Sequence, residues 1–170
     1  MTKLCNGLIL ISILFLSACG FKPMHAPTAF GGTGVHLSNI QVEMQANNKI
    51  DFLLAQALRN RMGDNANTKY ILKITPETKR NRLGIGADDV ASRYDLVMNT
   101  AFELVEAKTG DIVYRGKVRA ISTFGAPRDP YGTSAAQSNA EQQVSSEVAD
   151  RIIARLAGYQ ASEENAAKAK

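Results

Sequence analysis

The sequence predicts one α+β domain, a two-layer sandwich in which a mixed sheet of about four strands carries two helices on one face. Three observations lead to this prediction. The elements read in the order β-α-β-β-β-α. Both helical segments are amphipathic, so each needs an apolar surface to cover it. The chain has 170 residues, which suits one domain of ordinary size better than two. Its apolar share of 45% is enough to form a core.

The first strand is predicted over residues 35–44, whose second half alternates apolar and polar side chains. A helix over residues 50–62 follows, because its apolar residues recur at helical spacing. Asn48 is a good N-cap for this helix, and Gly63 is a typical stop after its last turn.

The second strand is predicted at residues 70–74, and we expect Pro76 to weaken its end. Residues 80–91 are polar and contain glycines, which predicts a loop. Residues 92–106 form the clearest strand, since large apolar side chains occupy its even-numbered positions.

A hairpin is predicted after this strand. Residues 108–110, Lys-Thr-Gly, fit a three-residue turn with the glycine in the left-handed conformation. That turn would pair Val105 with Val113 and Glu103 with Arg115.

The last helix is predicted over residues 138–157, after a proline-containing loop at 124–131. Ser138 and Glu141 have the spacing of a capping box at its start. Gly158 is expected to end it.

The N-terminus has the pattern of a bacterial lipoprotein signal. Residues 8–16 are an apolar run of nine, about half of the roughly 20 residues that a membrane-spanning helix needs. Small residues then precede Cys19, as in a lipobox, where a diacylglyceryl group joins the thiol and the cysteine becomes the first mature residue. The alternative is an ordinary signal peptide whose cleavage region happens to contain a cysteine.

These features predict four segments. Residues 1–18 are a lipoprotein signal peptide, and residues 19–34 are a lipidated N-terminus and flexible tether rich in Pro and Gly. Residues 35–158 form the single domain, and residues 159–170 are a disordered tail. Diacylglyceryl and N-acyl chains on Cys19 would hold the protein on a membrane, and Gly20 rather than Asp after it favours the outer membrane.

No catalytic or metal-binding constellation is present in the sequence. Two Cys and two His nearly exclude a zinc cluster or a disulfide scaffold. His25, His36 and the pair Asp88-Asp89 lack partners, so surface and loop positions explain them better. A net charge of +4 is mildly basic, too little for a histone-like nucleic-acid binder. We therefore expect no enzyme activity, no cofactor, no metal and no nucleic-acid partner.

Clustered cations are the informative feature of the domain. Residues 69–82 hold five Lys and Arg and one acid, and residues 112–128 hold four and none. Arg115, Lys117 and Arg119 alternate on a strand, so they form a row at a spacing of about 6 to 7 Å. Such a row suits a phosphorylated, anionic partner. The alternative is a solvated sheet face, partly neutralised by Glu103.

The sequence resembles the LptE family of lipopolysaccharide-assembly lipoproteins. Cys19 is followed by Gly20-Phe21-Lys22-Pro23-Met24, which is similar to the Cys-Gly-Phe-x-Pro-Leu start common in that family, with Met24 in place of Leu. Residues 150–156, DRIIARL, are similar to its closing helix. The element order also matches, so the resemblance spans most of residues 19–158.

The resemblance implies an outer-membrane lipoprotein that sits inside a large lipopolysaccharide-export β-barrel, LptD, as plug and assembly partner. It also implies lipopolysaccharide binding. The candidate residues for that role are the basic positions of the domain, Arg80, Arg82, Arg93, Arg115, Lys117 and Arg119. Two alternatives stay open: an accessory lipoprotein of a lipid-trafficking ABC transporter, and a lipid-anchored periplasmic hydrolase.

Overall fold

A computed structural model of the chain describes residues 37–63, 68–85, 91–127 and 129–169. The predicted signal peptide, Cys19, the tether, both histidines and the Asp88-Asp89 pair lie outside these residues. The described elements are a short 3-10 helix at Leu37–Asn39, strands β1 (Ile40–Glu43), β2 (Tyr70–Ile85), β3 (Ala91–Glu106) and β4 (Ile112–Gly125), and helices α1 (Lys49–Met62) and α2 (Pro130–Lys168).

The four strands form one mixed sheet in the order β1-β2-β3-β4. β1 runs parallel to β2, and the other two pairs are antiparallel. α1 packs beside β1 and against α2, which lies over β3 and β4. The predicted α+β fold class and element order are confirmed.

The core lies between the helices and one face of the sheet. β2 and β3 contribute Leu72, Met98 and Leu104, and the helices contribute Leu58 and Ile152, all of them fully buried. This burial of aliphatic side chains is the main favourable term for the fold.

The ends of α1 agree with the sequence prediction. The Asn48 side chain accepts a hydrogen bond from the backbone N–H of Asp51 at 2.9 Å. Gly63 adopts φ 79° and donates its N–H to the carbonyl of Arg59. Only glycine takes that backbone conformation without steric cost.

The β2–β3 hairpin is longer than predicted. β2 continues through Pro76 to Ile85, so Arg80 and Arg82 lie on a strand and not in the predicted loop. Pro76 is tolerated because β1 pairs only as far as Lys73, and beyond that point β2 is an edge that needs no outward N–H.

The β3–β4 hairpin is confirmed in its turn and corrected in its register. Gly110 has φ 79°, and Glu103 pairs with Arg115 as predicted. Val105, however, pairs with Ile112 and not with Val113, because a β-bulge between Leu104 and Val105 shifts the register.

Helix α2 begins earlier than predicted. Pro130 occupies its first turn, and the Asp129 carboxylate caps it by accepting from the N–H groups of Tyr131 and Gly132. Proline at the first helical position is common, since its missing N–H has no intrahelical partner there. Ser138 and Glu141 are therefore mid-helix residues and not a capping box.

The same helix also continues past Gly158 to Lys168, where the sequence predicted a disordered tail. The reason is a tertiary contact combined with good helix-forming residues. Tyr159 stacks on Tyr114 of β4, with ring centroids 4.7 Å apart. Ala, Glu and Lys then dominate the last turns, and all three favour helix.

Candidate functional site

Alternation along the strands gives the sheet two different faces. We call the helix-packed side, with even-numbered β3 residues such as Met98 and Phe102, the covered face. The opposite side, with Glu103 of β3 and Arg115, Lys117 and Arg119 of β4, is the open face. Its three β4 cations are exposed, although Val97 and Val105 of β3 are buried on this side. The open face therefore presents the cationic row to its surroundings.

The structure separates the six candidate cations into two groups. Arg115, Lys117 and Arg119 form one row on the open face of β4, and all three are exposed. Arg80, Arg82 and Arg93 lie near the far end of the β2–β3 hairpin. About six residues of β3 separate Arg93 from the row, or about 20 Å along the strand.

Charge compensation is uneven along the β4 row. Arg115 Nε lies 3.0 Å from Glu103 Oε1, the cross-strand partner that the register predicts. No described acid is within salt-bridge distance of Lys117 or Arg119, and β4 contributes no acid at all. Two adjacent row positions thus carry positive charge without a described counter-ion.

The hairpin-end group is divided between both sides of the sheet. Arg80 faces the helices, where its guanidinium lies 5.1 Å from the Tyr94 ring centroid and donates to Gln137 Oε1 of α2 at 3.2 Å. Arg82 shares that side, since it pairs with Tyr94, while Arg93 faces the open side. Arg80 therefore has a structural role, because cation–π stacking and a hydrogen bond hold it against the fold.

A polar network continues from Gln137 to both helices. The Gln137 amide donates to Glu141 Oε1 at 2.9 Å, and Lys49 Nζ of α1 lies 2.9 Å from Glu141 Oε2. Lys49 also donates to Ser138 Oγ at 2.8 Å. Burial alone would raise the pKa of Glu141, but the bonds with Lys49 and Gln137 outweigh it and hold that pKa below its ordinary value.

Two further lysines lie on the open face, although they were not among the candidate binding residues predicted from the sequence. Lys73 pairs with Glu103, the partner of Arg115, whereas Lys79 pairs with Val97, the partner of Ile121, so Lys79 lies just beyond the row. Lys79 Nζ is 2.8 Å from Glu77 Oε1, which lowers the pKa of Glu77. Lys73 lies within the predicted strand, and its position follows from strand parity once the pairing with Glu103 is known. Lys79 lies beyond the predicted end of β2, so the sequence placed it in no strand.

The open face carries groups that are suited to bind anions. Arg can bind a phosphate or carboxylate through two parallel hydrogen bonds, and Lys supplies a point charge. Within the described ranges, no three His, Cys, Asp or Glu side chains converge as metal ligands. In the same residues, no helix has the length and apolarity required to cross a membrane.

Comparison with protein families gives a match over most of the domain. Residues 37–156 match the family model LptE, described as lipopolysaccharide-assembly. This match covers all four strands, α1, and α2 except for its last turns. Comparison with curated proteins gives no significant match.

Solved structures with the same fold include several lipoproteins. A Caulobacter crescentus CB15 protein classed as a lipoprotein is 27% identical, with a TM-score of 0.64 over 75% of this chain and 94% of that one. Rare lipoprotein B from Shewanella oneidensis is 16% identical, with a TM-score of 0.57 over 74% and 98%. A minor lipoprotein from Acinetobacter baumannii is 17% identical, with a TM-score of 0.55 over 74% and 93%.

Proposed function

The chain belongs to the LptE family of lipopolysaccharide-assembly proteins, and from this premise we propose that it is an outer-membrane lipoprotein that assists assembly of lipopolysaccharide at the cell surface. The observation that carries the proposal is the family match over residues 37–156. The solved lipoproteins with the same fold support it.

The partner in this proposal is the lipopolysaccharide-export β-barrel, LptD or a protein like it. The domain acts as its plug and assembly partner, and it carries no catalytic activity. A helix-backed sheet with one open face supports a binding role, because such a domain can bury surface against a barrel wall while its cations face the transported lipid.

Lipopolysaccharide is the proposed ligand of the basic positions. Lipid A carries phosphates, and divalent cations between them hold neighbouring molecules together. Lys and Arg side chains can replace those cations, since a charge-assisted hydrogen bond to phosphate is about twice as strong as a neutral one. Lys117 and Arg119 fit this role best, because no described acid competes for them.

Membrane attachment is assigned to Cys19. A single acyl chain gives only marginal binding, and each further buried methylene adds about 0.8 kcal/mol. Two or three chains on Cys19, such as palmitoyl groups, would therefore hold the domain at the outer membrane for long periods.

Copurification from separated membranes tests this proposal. The affinity-tagged full chain and a matched Cys19→Ala variant are extracted in detergent from inner and outer membranes, and bound partners are identified by mass. We expect the unsubstituted chain in the outer membrane with a large β-barrel, and the Cys19→Ala variant to be lost from that fraction. Recovery alone, or with an inner-membrane ABC transporter, would overturn the proposal, and the second result would favour the accessory role in lipid trafficking.

A further inference from the structure

Strand β4 forms one edge of the sheet along its whole length. It pairs with β3 on one side, and no described strand pairs with its other side. The strand has 14 residues and contains no proline. The other long edge, on β2 beyond Lys73, is interrupted by Pro76. An unpaired edge is a template for another extended segment, so β4 is the edge suited to accept one.

Turn geometry shows which main-chain groups point outward from β4. Glu106 donates its N–H to Asp111, toward β4, and Ala107 donates to Lys69, toward β2. Because these directions alternate along a strand, the even-numbered residues of β3 bond to β4. Their partners in β4 are also even-numbered, as in Thr100 with Val118. The N–H and C=O groups of odd-numbered β4 residues therefore face the free edge.

A hydrogen bond from a side chain of α2 independently supports the outward direction of the odd-numbered β4 carbonyls. Arg151 Nη1 donates a hydrogen bond to the backbone carbonyl of Arg119. Glu147 accepts from Arg151 Nε at 2.8 Å and holds the guanidinium there. The Arg119 carbonyl therefore points away from β3, and a strand that bonds to it must displace the Arg151 guanidinium, whereas no described donor from α2 occupies the carbonyls of Arg115 and Lys117.

The outward-facing residues of the free edge are the same ones that form the cationic row. Arg115, Lys117 and Arg119 are followed at the same spacing by Ile121, which is 50% exposed. Directly opposed residues of paired strands place their side chains on the same face, where opposite charges attract. A strand added to this edge would meet three cations and then one apolar side chain.

We propose that β4 binds an extended acidic segment of a partner protein as a fifth strand. The segment has Asp or Glu at alternate positions, opposite Arg115, Lys117 and Arg119, and an apolar residue opposite Ile121. Backbone hydrogen bonds to the odd-numbered residues give affinity, and the alternating side chains give specificity. The proposal does not require the proposed function, but both use the cations of the β4 row, and only this one also needs the backbone groups of the edge.

A second copy of this chain fits the edge poorly. Antiparallel pairing of two β4 strands about Lys117 would place Arg115 opposite Arg119 and Lys117 opposite itself. Like charges directly opposed across strands are destabilising. Cations on an edge strand are a known protection against such self-association.

Peptide binding and amide hydrogen exchange test the proposal on the full chain in detergent. The probe is a short synthetic peptide that alternates Glu with Thr and ends in Val, and its control carries Lys in place of Glu. We expect the acidic peptide to bind and the control not to. We expect binding to slow exchange at the outward amides of Lys117, Arg119 and Ile121.

Two variants separate edge pairing from simple charge attraction. Ile121→Pro removes one outward N–H but keeps every cation and the β3 ladder, so we expect peptide affinity to fall about tenfold. Ile121→Ala keeps that N–H and should bind within about threefold of the unsubstituted chain. Lipopolysaccharide binding should be the same in both, which distinguishes this proposal from the proposed function.

Three results would overturn the proposal: equal peptide affinity in a folded Ile121→Pro variant, unchanged amide exchange on binding, or a β4-mediated dimer in place of a peptide complex. The exchange measurement uses the unsubstituted chain, so it decides the question even if Ile121→Pro does not fold.

Discussion

Phe102, on the covered face of the sheet, is 1% exposed. The Arg115 side chain, on the open face and paired with the residue that follows Phe102, is 68% exposed. The two faces are made by the same strands and differ only in residue parity. A shift of one residue in register would exchange them, so burial of the apolar set also fixes the position of the cations. The residues that stabilise the fold and those proposed to bind a ligand therefore lie on opposite sides of one sheet, and substitutions should separate the two effects.

The largest expected effect is on the covered face. Phe102→Ala removes a fully buried ring that contacts Tyr114, with ring centroids 5.9 Å apart. We expect the free energy of unfolding to fall by about 3 to 5 kcal/mol, which chemical denaturation would measure. The control is Lys117→Ala on the open face, which should change it by no more than about 0.5 kcal/mol. Equal losses in both variants would contradict the division between the faces.

The next effect concerns the close approach of Gly116 to the same ring. A Cβ on Gly116 would lie 2.3 Å from Phe102 Cζ, a distance that real side chains do not allow. Gly116→Ala should therefore cost about 1 to 3 kcal/mol of unfolding free energy through overpacking. In a Phe102→Ala background the clash is absent, so the cost of the glycine substitution should largely disappear. Strict additivity of the two substitutions would refute this explanation.

A smaller change, an increase in the free energy of unfolding, is expected from a substitution on the solvent side of α2. Gly158 lies within the helix, and a Cβ there would meet nothing within 4 Å. Gly158→Ala should raise the unfolding free energy by about 0.5 to 1 kcal/mol, because alanine favours helix over glycine. Thermal denaturation measures this. A decrease would mean that α2 does not continue through this position in solution.

The smallest effect is a pH dependence from the network between the helices. The folded protein holds the pKa of Glu141 below its ordinary value of 4.5. This carboxylate therefore stabilises the fold above that value, and its contribution is lost as pH falls through the lowered pKa. Between about pH 5 and 3, the unfolding free energy of the unsubstituted chain should fall more steeply than that of Glu141→Gln. Parallel curves would show that Glu141 is not stabilised by Lys49.

Sequence periodicity predicted the elements whose two faces differ most in burial. Large apolar side chains at most even positions of residues 92–106 predicted β3, and the turn at residues 108–110 predicted the pairing of Glu103 with Arg115. The end of β2 was missed because no described β2 side chain after Ile74 is both apolar and buried, so the apolar signal stops before Arg80 and Arg82.

Sequence signals for the start and end of α2 gave wrong predictions where another cap or a tertiary contact decides the helix boundary. Pro130 belongs to the first turn of α2, although prolines and a glycine at residues 124–131 predicted a loop there. Ser138 and Glu141 match a capping box, yet both contact Lys49 across the helix pair. Gly158 does not end the helix, since Tyr159 stacks on Tyr114 just beyond it. For the candidate site, residue type predicted the cations, but only strand pairing shows that they form two groups.

The most direct test of the central claim, that the open face binds the anionic ligand, compares two triple variants of equal net charge. One carries Arg115→Glu, Lys117→Glu and Arg119→Glu on the open face. Its matched control reverses three exposed helix cations, with Arg59→Glu, Arg155→Glu and Lys168→Glu. We predict that affinity for purified lipopolysaccharide falls at least about tenfold in the first variant and much less in the second, with both proteins folded. Equal affinities in the two variants would contradict the claim, because they would show that net charge alone, and not its position on the open face, governs binding.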